Sequence, residues 1–140
     1  MINLQLSKLE SLEQECYNKN INIYYLPITL DGFCIKDNIC INKDFGPIHR
    51  FWVLEHEFTH LELNALYTLK SSATEVKKQE LKVIEHIIKK HKLDYYVYEN
   101  LKLGWDKWEI CEGLEIPFEL YDEVIKYLHR KGILKCRIED

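Results

Sequence analysis

Hydrophobic and polar positions follow two different periods along the chain, and each period predicts its own type of element. The first leucines of the chain have near-helical spacing and lie among lysines and glutamates: Leu4, Leu6, Leu9 and Leu12. This spacing predicts an opening helix that ends near residues 18–20. The segment INIYYLPITL is β-branched and aromatic, and GFCIKDNICIN carries two β-prone runs around residues 36–38. A strand and a small hairpin are therefore predicted.

The rest of the chain has helical periodicity. Residues 44–47, DFGP, predict a turn that leads into a helix over about 48–67. Apolar residues lie on one face of that helix: Phe51, Leu54, Phe58, Leu61 and Ala65. The opposite face carries Val53, His56 and His60, where a surface helix normally carries charged residues. We therefore expect a central helix with both faces covered.

Further helices are predicted over four ranges: 74–91, 93–103, 105–113 and 117–130. The order of a helix, a small sheet and then more helices predicts an α+β fold. The length of 140 residues, 46% of them hydrophobic, suits one domain over residues 1–140, with a helical C-terminal subregion from about residue 93. Trp105 and Trp108, three positions apart, are expected in the core.

Charge and composition exclude several classes of protein. The formal net charge of -4 and the pI near 5.9 give no basic surface for nucleic acid, so no direct nucleic-acid binding is expected. The opening residues lack a basic segment followed by an apolar one, which favours a cytoplasmic protein without a membrane partner. The five cysteines contain no C-x-x-C pair and are expected to be reduced structural thiols.

The chemistry is concentrated in the stretch His56-Glu57-Phe58-Thr59-His60. On a helix, positions i and i+4 share a face, so two imidazoles can converge on one metal ion. Zinc is the expected ion, with a third ligand from another element and a fourth position open for water. Glu57 is placed to take a proton from that water, whose pKa the metal lowers towards about 7.

Glu80 is the predicted third ligand. It lies within the apolar stripe of the helix over 74–91: Val76, Val83, Ile84 and Ile87. A carboxylate placed there is costly to bury without a cation or a metal. His91 is the second choice. The ordinary alternative is that His56 and His60 are polar residues of a buried helix and that Glu80 pairs with a lysine. Tyr67, two turns beyond His60, would support the site or merely pack.

The sequence resembles the ImmA/IrrE metallopeptidases of phages and mobile elements. The resemblance is carried by the hairpin ending ICIN, by VLEHEFTH, and by QELKVIEHII about 20 residues later. It extends from the first helix to the short helices of WDKWEICEGLEIPFELYDEVIKYL. The resemblance implies that His56, His60 and Glu80 bind zinc and that Glu57 is the catalytic base. Family members mostly carry glycine where this chain has Thr59, so the packing there must differ.

The resemblance also implies a function. Related enzymes are zinc endopeptidases that cleave helix-turn-helix repressors and so switch on the genes of a phage or mobile element, so the expected partner is a protein substrate of that kind. The alternative is a regulatory protein that binds a repressor without cleaving it, with the metal structural or absent. A DNA-binding helix pair near the C-terminus is disfavoured by its acidic residues: Glu109, Glu112, Glu115, Glu119, Asp122 and Glu123.

Overall fold

The computed structural model describes residues 7–135 and has the predicted mixed α+β architecture. Within this part of the chain there are six helices and three strands: α1 (Lys8–Asn18), β1 (Asn22–Leu26), β2 (Gly32–Ile35), β3 (Asn38–Asn42), α2 (Pro47–Glu62), α3 (Ala73–Lys90), α4 (Leu93–Lys102), α5 (Lys107–Leu114) and α6 (Phe118–Arg130). Leu4, Leu6 and Cys136 lie outside the described residues. The four cysteines within the described residues are free thiols. No helix within residues 7–135 combines the length and the apolar character needed to cross a membrane.

The three strands form one sheet in the order β1-β3-β2. The predicted hairpin is confirmed, because β2 and β3 pair antiparallel around Lys36 and Asp37, whereas β1 pairs parallel with β3. The Asn42 N–H donates to the Asp31 carbonyl at 2.9 Å. Since bonded pairs alternate along an antiparallel ladder, the backbone groups of Gly32 and Cys34 point towards the outer edge of the sheet.

Strand β2 lies against α2 through a close contact at Gly32. A Cβ atom on Gly32 would lie 2.7 Å from Val53 Cγ1 and 3.0 Å from the Cys40 carbonyl oxygen. Only glycine fits at this distance without displacing a neighbour. The same hypothetical atom would be 3.7 Å from Glu57 Cγ, so the contact brings the edge strand beside the HExxH helix.

Helix α2 is central, as predicted, and both of its faces are buried. Gly46 is its N-cap and Pro47 its first residue, which confirms the predicted entry turn. The buried residues include Leu54 and Phe58 on one face and Val53 and His60 on the other. A helical face that must lie inside the protein explains why so few charged residues occur along it.

The predicted extension of α2 to about residue 67 is wrong, because the helix ends at Glu62. Asn64, just after the helix, adopts a left-handed conformation with φ 50°. Its N–H donates to the Leu61 carbonyl, and the Ala65 N–H donates to the His60 carbonyl at 2.9 Å. This pair of bonds is a Schellman motif, which satisfies the last carbonyls and turns the chain away from the helix axis.

The chain divides into two compact units, Met1–Val83 and Ile84–Asp140, with the division inside α3. The first contains the sheet, α1, α2 and the beginning of α3. In the second, α4, α5 and α6 pack on one another around buried residues: Val97, Ile110, Val124 and Leu128. The prediction that Trp105 and Trp108 lie in the core is wrong, since they are 41% and 70% exposed. Helix α5 buries the face that carries Ile110 and Cys111 instead.

Candidate metal centre

Helix α2 presents His56 and His60 to one point, as their spacing predicts. The two residues are one turn apart, and their Nε2 atoms are 3.2 Å from each other. The ring centroids are 4.9 Å apart, with the rings inclined by 67°. Two imidazole nitrogens therefore converge on a small volume beside the helix.

Helix α3 adds Glu80 to the same point. Its Oε2 is 2.9 Å from His56 Nε2, and its Oε1 is 3.0 Å from His60 Nε2. The three residues form a group that could hold a metal ion, with all candidate ligand atoms within 4.8 Å of one another. His91, the second choice from the sequence, lies just beyond the end of α3 and is not a member of this group.

The orientation of His60 is fixed by the chain reversal that ends α2. The His60 ring is buried, and its Nδ1 lies 2.7 Å from the Ala65 carbonyl oxygen. The Nδ1–H group donates to that carbonyl, so Nε2 is the nitrogen that faces Glu80. A backbone carbonyl on the second ring nitrogen is the usual way in which proteins hold a metal-binding histidine in one tautomer.

The hydrogen bonds around the group also determine its charge. Both nitrogens of His60 face acceptors, so in this arrangement the ring carries both protons. Burial lowers the pKa of His60, but the hydrogen bonds to Glu80 and Ala65 outweigh burial, and the pKa lies above its ordinary value of 6.5. Burial raises the pKa of Glu80, and the hydrogen bonds from His56, His60 and Tyr67 reverse this, so that its pKa is far below the ordinary 4.5.

This charge state predicts a pH-dependent affinity for divalent metal ions. A metal must displace the Nε2 proton of His60, and the raised pKa extends this competition above pH 6.5. We therefore expect the affinity for zinc to rise with pH between about pH 6 and 8, by up to about tenfold per pH unit for each proton released. Competition with a chelator of known affinity measures it. An affinity that does not change over this range would contradict the assignment.

Glu57 lies beside the group and is not one of its members. It is buried on α2, next in sequence to His56, and its Cγ faces Gly32 on β2. Burial raises the pKa of its carboxyl; the neighbouring His56 and His60 lower it, Glu80 raises it, and the net direction is upward. A carboxylate with a raised pKa is a stronger proton acceptor than an exposed one.

Tyr67 contacts the group from the loop between α2 and α3. Its hydroxyl donates to Glu80 Oε1 at 2.7 Å, and its ring lies edge-on to His60 with centroids 5.9 Å apart. The hydrogen bond to Glu80, together with burial, raises the pKa of the phenol. The sequence placed Tyr67 near the histidines on a continuous helix, whereas the structure places it there after the chain has reversed direction.

Two further positions were not predicted from the sequence. Cys34 on β2 is half-buried, and burial with the nearby charges of Glu57 and Glu80 raises its pKa to about 11, so its thiol stays protonated. Gly32 lies two positions before it and contacts α2. The period-two pattern of the hairpin places both residues on one face, but it does not show that this face meets α2.

Thr59 fills the position where the ImmA/IrrE family mostly has glycine. Its side chain is buried, and its Oγ1 donates to the Glu55 carbonyl at 2.6 Å, one turn back along α2. The hydroxyl is thereby satisfied within the helix. The local packing therefore contains a side chain where glycine would leave space for a second backbone.

Comparisons of the chain with protein-family models, curated proteins and solved structures gave no match. The resemblance to the ImmA/IrrE family is therefore carried by the HEFTH and QE segments, and membership of that family stays a prediction.

Proposed function

We propose that the protein is a zinc-dependent endopeptidase. The observation that supports this proposal best is the convergence of two imidazoles and one carboxylate from α2 and α3, with the buried Glu57 beside them. Three protein ligands and a neighbouring carboxylate are the components of a catalytic zinc site, whereas structural zinc sites have four protein ligands.

The spacing of the donor atoms suits zinc. With zinc-to-nitrogen distances of about 2.0 to 2.1 Å, tetrahedral ligand atoms are roughly 3.3 Å apart. His56 Nε2 lies 2.9 Å from Glu80 Oε2, and His60 Nε2 lies 3.0 Å from Glu80 Oε1. The two imidazole nitrogens are 3.2 Å apart. With one ligand atom taken from each residue, the three atoms lie within 4.8 Å of one another, so the three side chains can reach one ion. A set of imidazole and carboxylate donors also suits zinc better than magnesium or calcium, which take oxygen ligands.

Each residue then has a distinct task. His56, His60 and Glu80 hold the ion, and Ala65 keeps His60 Nε2 directed at it through the bond to Nδ1. When bound, zinc would act as a Lewis acid, which would lower the pKa of water to about 7 and polarise a carbonyl. The Glu57 carboxylate accepts the proton from the attacking water and passes it to the nitrogen of the leaving amine. Burial of Glu57 excludes bulk water from that proton transfer.

A polypeptide substrate is supported by the position of β2. This strand is at an edge of the sheet, the backbone groups of Gly32 and Cys34 point outwards, and Gly32 lies beside Glu57. An extended peptide can add to such an edge through main-chain hydrogen bonds that do not depend on its sequence. We propose a helix-turn-helix repressor as the substrate, on the strength of the family resemblance.

Incubation with a repressor encoded beside this chain tests the proposal. We expect the zinc-loaded protein to convert the repressor into two fragments by cutting one bond, which mass spectrometry of the intact products locates. A chelator should abolish the reaction, and added zinc should restore it. If the repressor stays intact while it co-elutes with the protein, the protein is a regulatory binding protein and not a peptidase.

A further inference from the structure

Tyr67 contacts the metal-binding group, and the proposed chemistry assigns it no task. We propose that Tyr67 is a positioning residue, whose hydroxyl holds the Glu80 carboxylate in place for the metal. The inference rests on the proposed role of Glu80 as a ligand. The contact that supports it is the 2.7 Å hydrogen bond from the phenol to Glu80 Oε1.

Glu80 needs such support because of its length and exposure. Its side chain is 31% exposed, and it is the only member of the group that α3 contributes. A glutamate has several rotatable bonds, so holding it in one conformation costs side-chain entropy. A partner that fixes the carboxylate before the metal arrives removes part of that cost from binding.

Of the donors that the structure shows on the Glu80 carboxylate, Tyr67 is independent of the metal. His56 and His60 also donate to Glu80, each through its Nε2 atom. Those two nitrogens are the atoms that would bind zinc, and a nitrogen that binds a metal has lost its proton. Both histidine bonds to Glu80 therefore end when zinc binds. The phenol of Tyr67 keeps its proton and can still donate to a carboxylate oxygen.

The loop holds Tyr67 in place. The Schellman turn at Asn64 precedes it, and the buried Ala65 fixes the chain against α2. After Tyr67 the Thr68 N–H donates to Ser71 Oγ at 2.9 Å, and the Ser71 N–H donates to the Thr68 carbonyl at 3.0 Å. A donor held on both sides in this way resembles the outer partners that orient the ligands of known metal sites.

The substitution Tyr67→Phe tests the proposal, because it keeps the ring beside His60 and removes only the hydroxyl. We expect the dissociation constant for zinc to rise about 10- to 100-fold, the usual effect of losing an outer partner of a ligand. Chelator competition measures this constant without a substrate. Cobalt(II) in place of zinc gives a second measurement, since its visible spectrum reports a change in ligand geometry. Tyr24→Phe, the same change on an exposed residue of β1, is the matched control and should leave both measurements unchanged.

Each result decides between clear alternatives. Unchanged zinc affinity and an unchanged cobalt spectrum in Tyr67→Phe would overturn the positioning role. If Tyr67→Phe keeps its zinc while Glu80→Ala loses it, the metal site stands and only the role of Tyr67 fails. If the parent protein binds no zinc, both the proposed peptidase and the role of Tyr67 fall together.

Discussion

Glu57→Gln is expected to lower the rate of repressor cleavage by about 10² to 10⁴-fold while the protein keeps its zinc. The glutamine amide has nearly the same shape as the carboxylate but cannot accept the proton of the attacking water. Glu57 is also outside the group of candidate ligands, so its loss removes no metal bond. Cleavage rates and zinc content, measured on the same preparation, check both halves of this expectation.

The matched control is Glu62→Gln, the same chemical change at the last residue of α2. Glu62 is exposed and pairs with Lys19 at 2.7 Å, so its replacement should cost little stability and no activity. If Glu57→Gln still cleaves the repressor at the parental rate, Glu57 is not the base. If instead the Glu57→Gln variant relieves repression in cells without cleaving the repressor, the protein acts by binding alone.

Glu80→Ala is expected to weaken zinc binding by about 10² to 10³-fold. Apparent zinc binding energies of roughly 10 to 16 kcal/mol in four-ligand peptides correspond to about 2.5 to 4 kcal/mol for each ligand. The substitution also removes the acceptor that His56 and His60 share in the metal-free arrangement. Metal analysis after dialysis, followed by chelator competition, measures the loss. His56→Ala and His60→Ala should behave in the same way.

Glu75→Ala is the matched control for this series, because it removes a glutamate from the first turn of the same helix. Glu75 bonds to Gln79 and is not part of the metal-binding group. Its zinc affinity should equal that of the parent. If Glu80→Ala keeps the zinc affinity of the parent, Glu80 is not the third ligand, and His91 would be tested next.

The periodicity of the sequence predicted where the helices lie, apart from the end of α2, and it singled out the three residues that the structure brings together: His56, His60 and Glu80. The two histidines of the HExxH motif share a face only if the segment is helical, and α2 is that helix. Glu80 was identifiable because a carboxylate within an apolar stripe needs a strong partner. The structure shows its partners to be two histidines and a tyrosine, and no lysine pairs with it within residues 7–135.

The remaining parts of the site depend on contacts between distant segments. The end of α2 is set by the bond between Ala65 and His60, which periodicity does not reveal because Ala65 continues the apolar stripe. The parallel pairing of β1 with β3 makes β2 the edge strand, and local pattern does not specify that order. The contacts of Tyr67 and Gly32 with the site follow from these two features.

The loop over residues 63–72 joins the two helices that carry the candidate metal ligands. A metal held by His60 on one side and Glu80 on the other would act as a cross-link that closes a ring of about 20 residues. Cross-links of this kind reduce the freedom of the unfolded chain, so they favour the folded state even where they add no apolar contact. The supply of metal in the cell would then set the abundance of the folded protein as well as its activity.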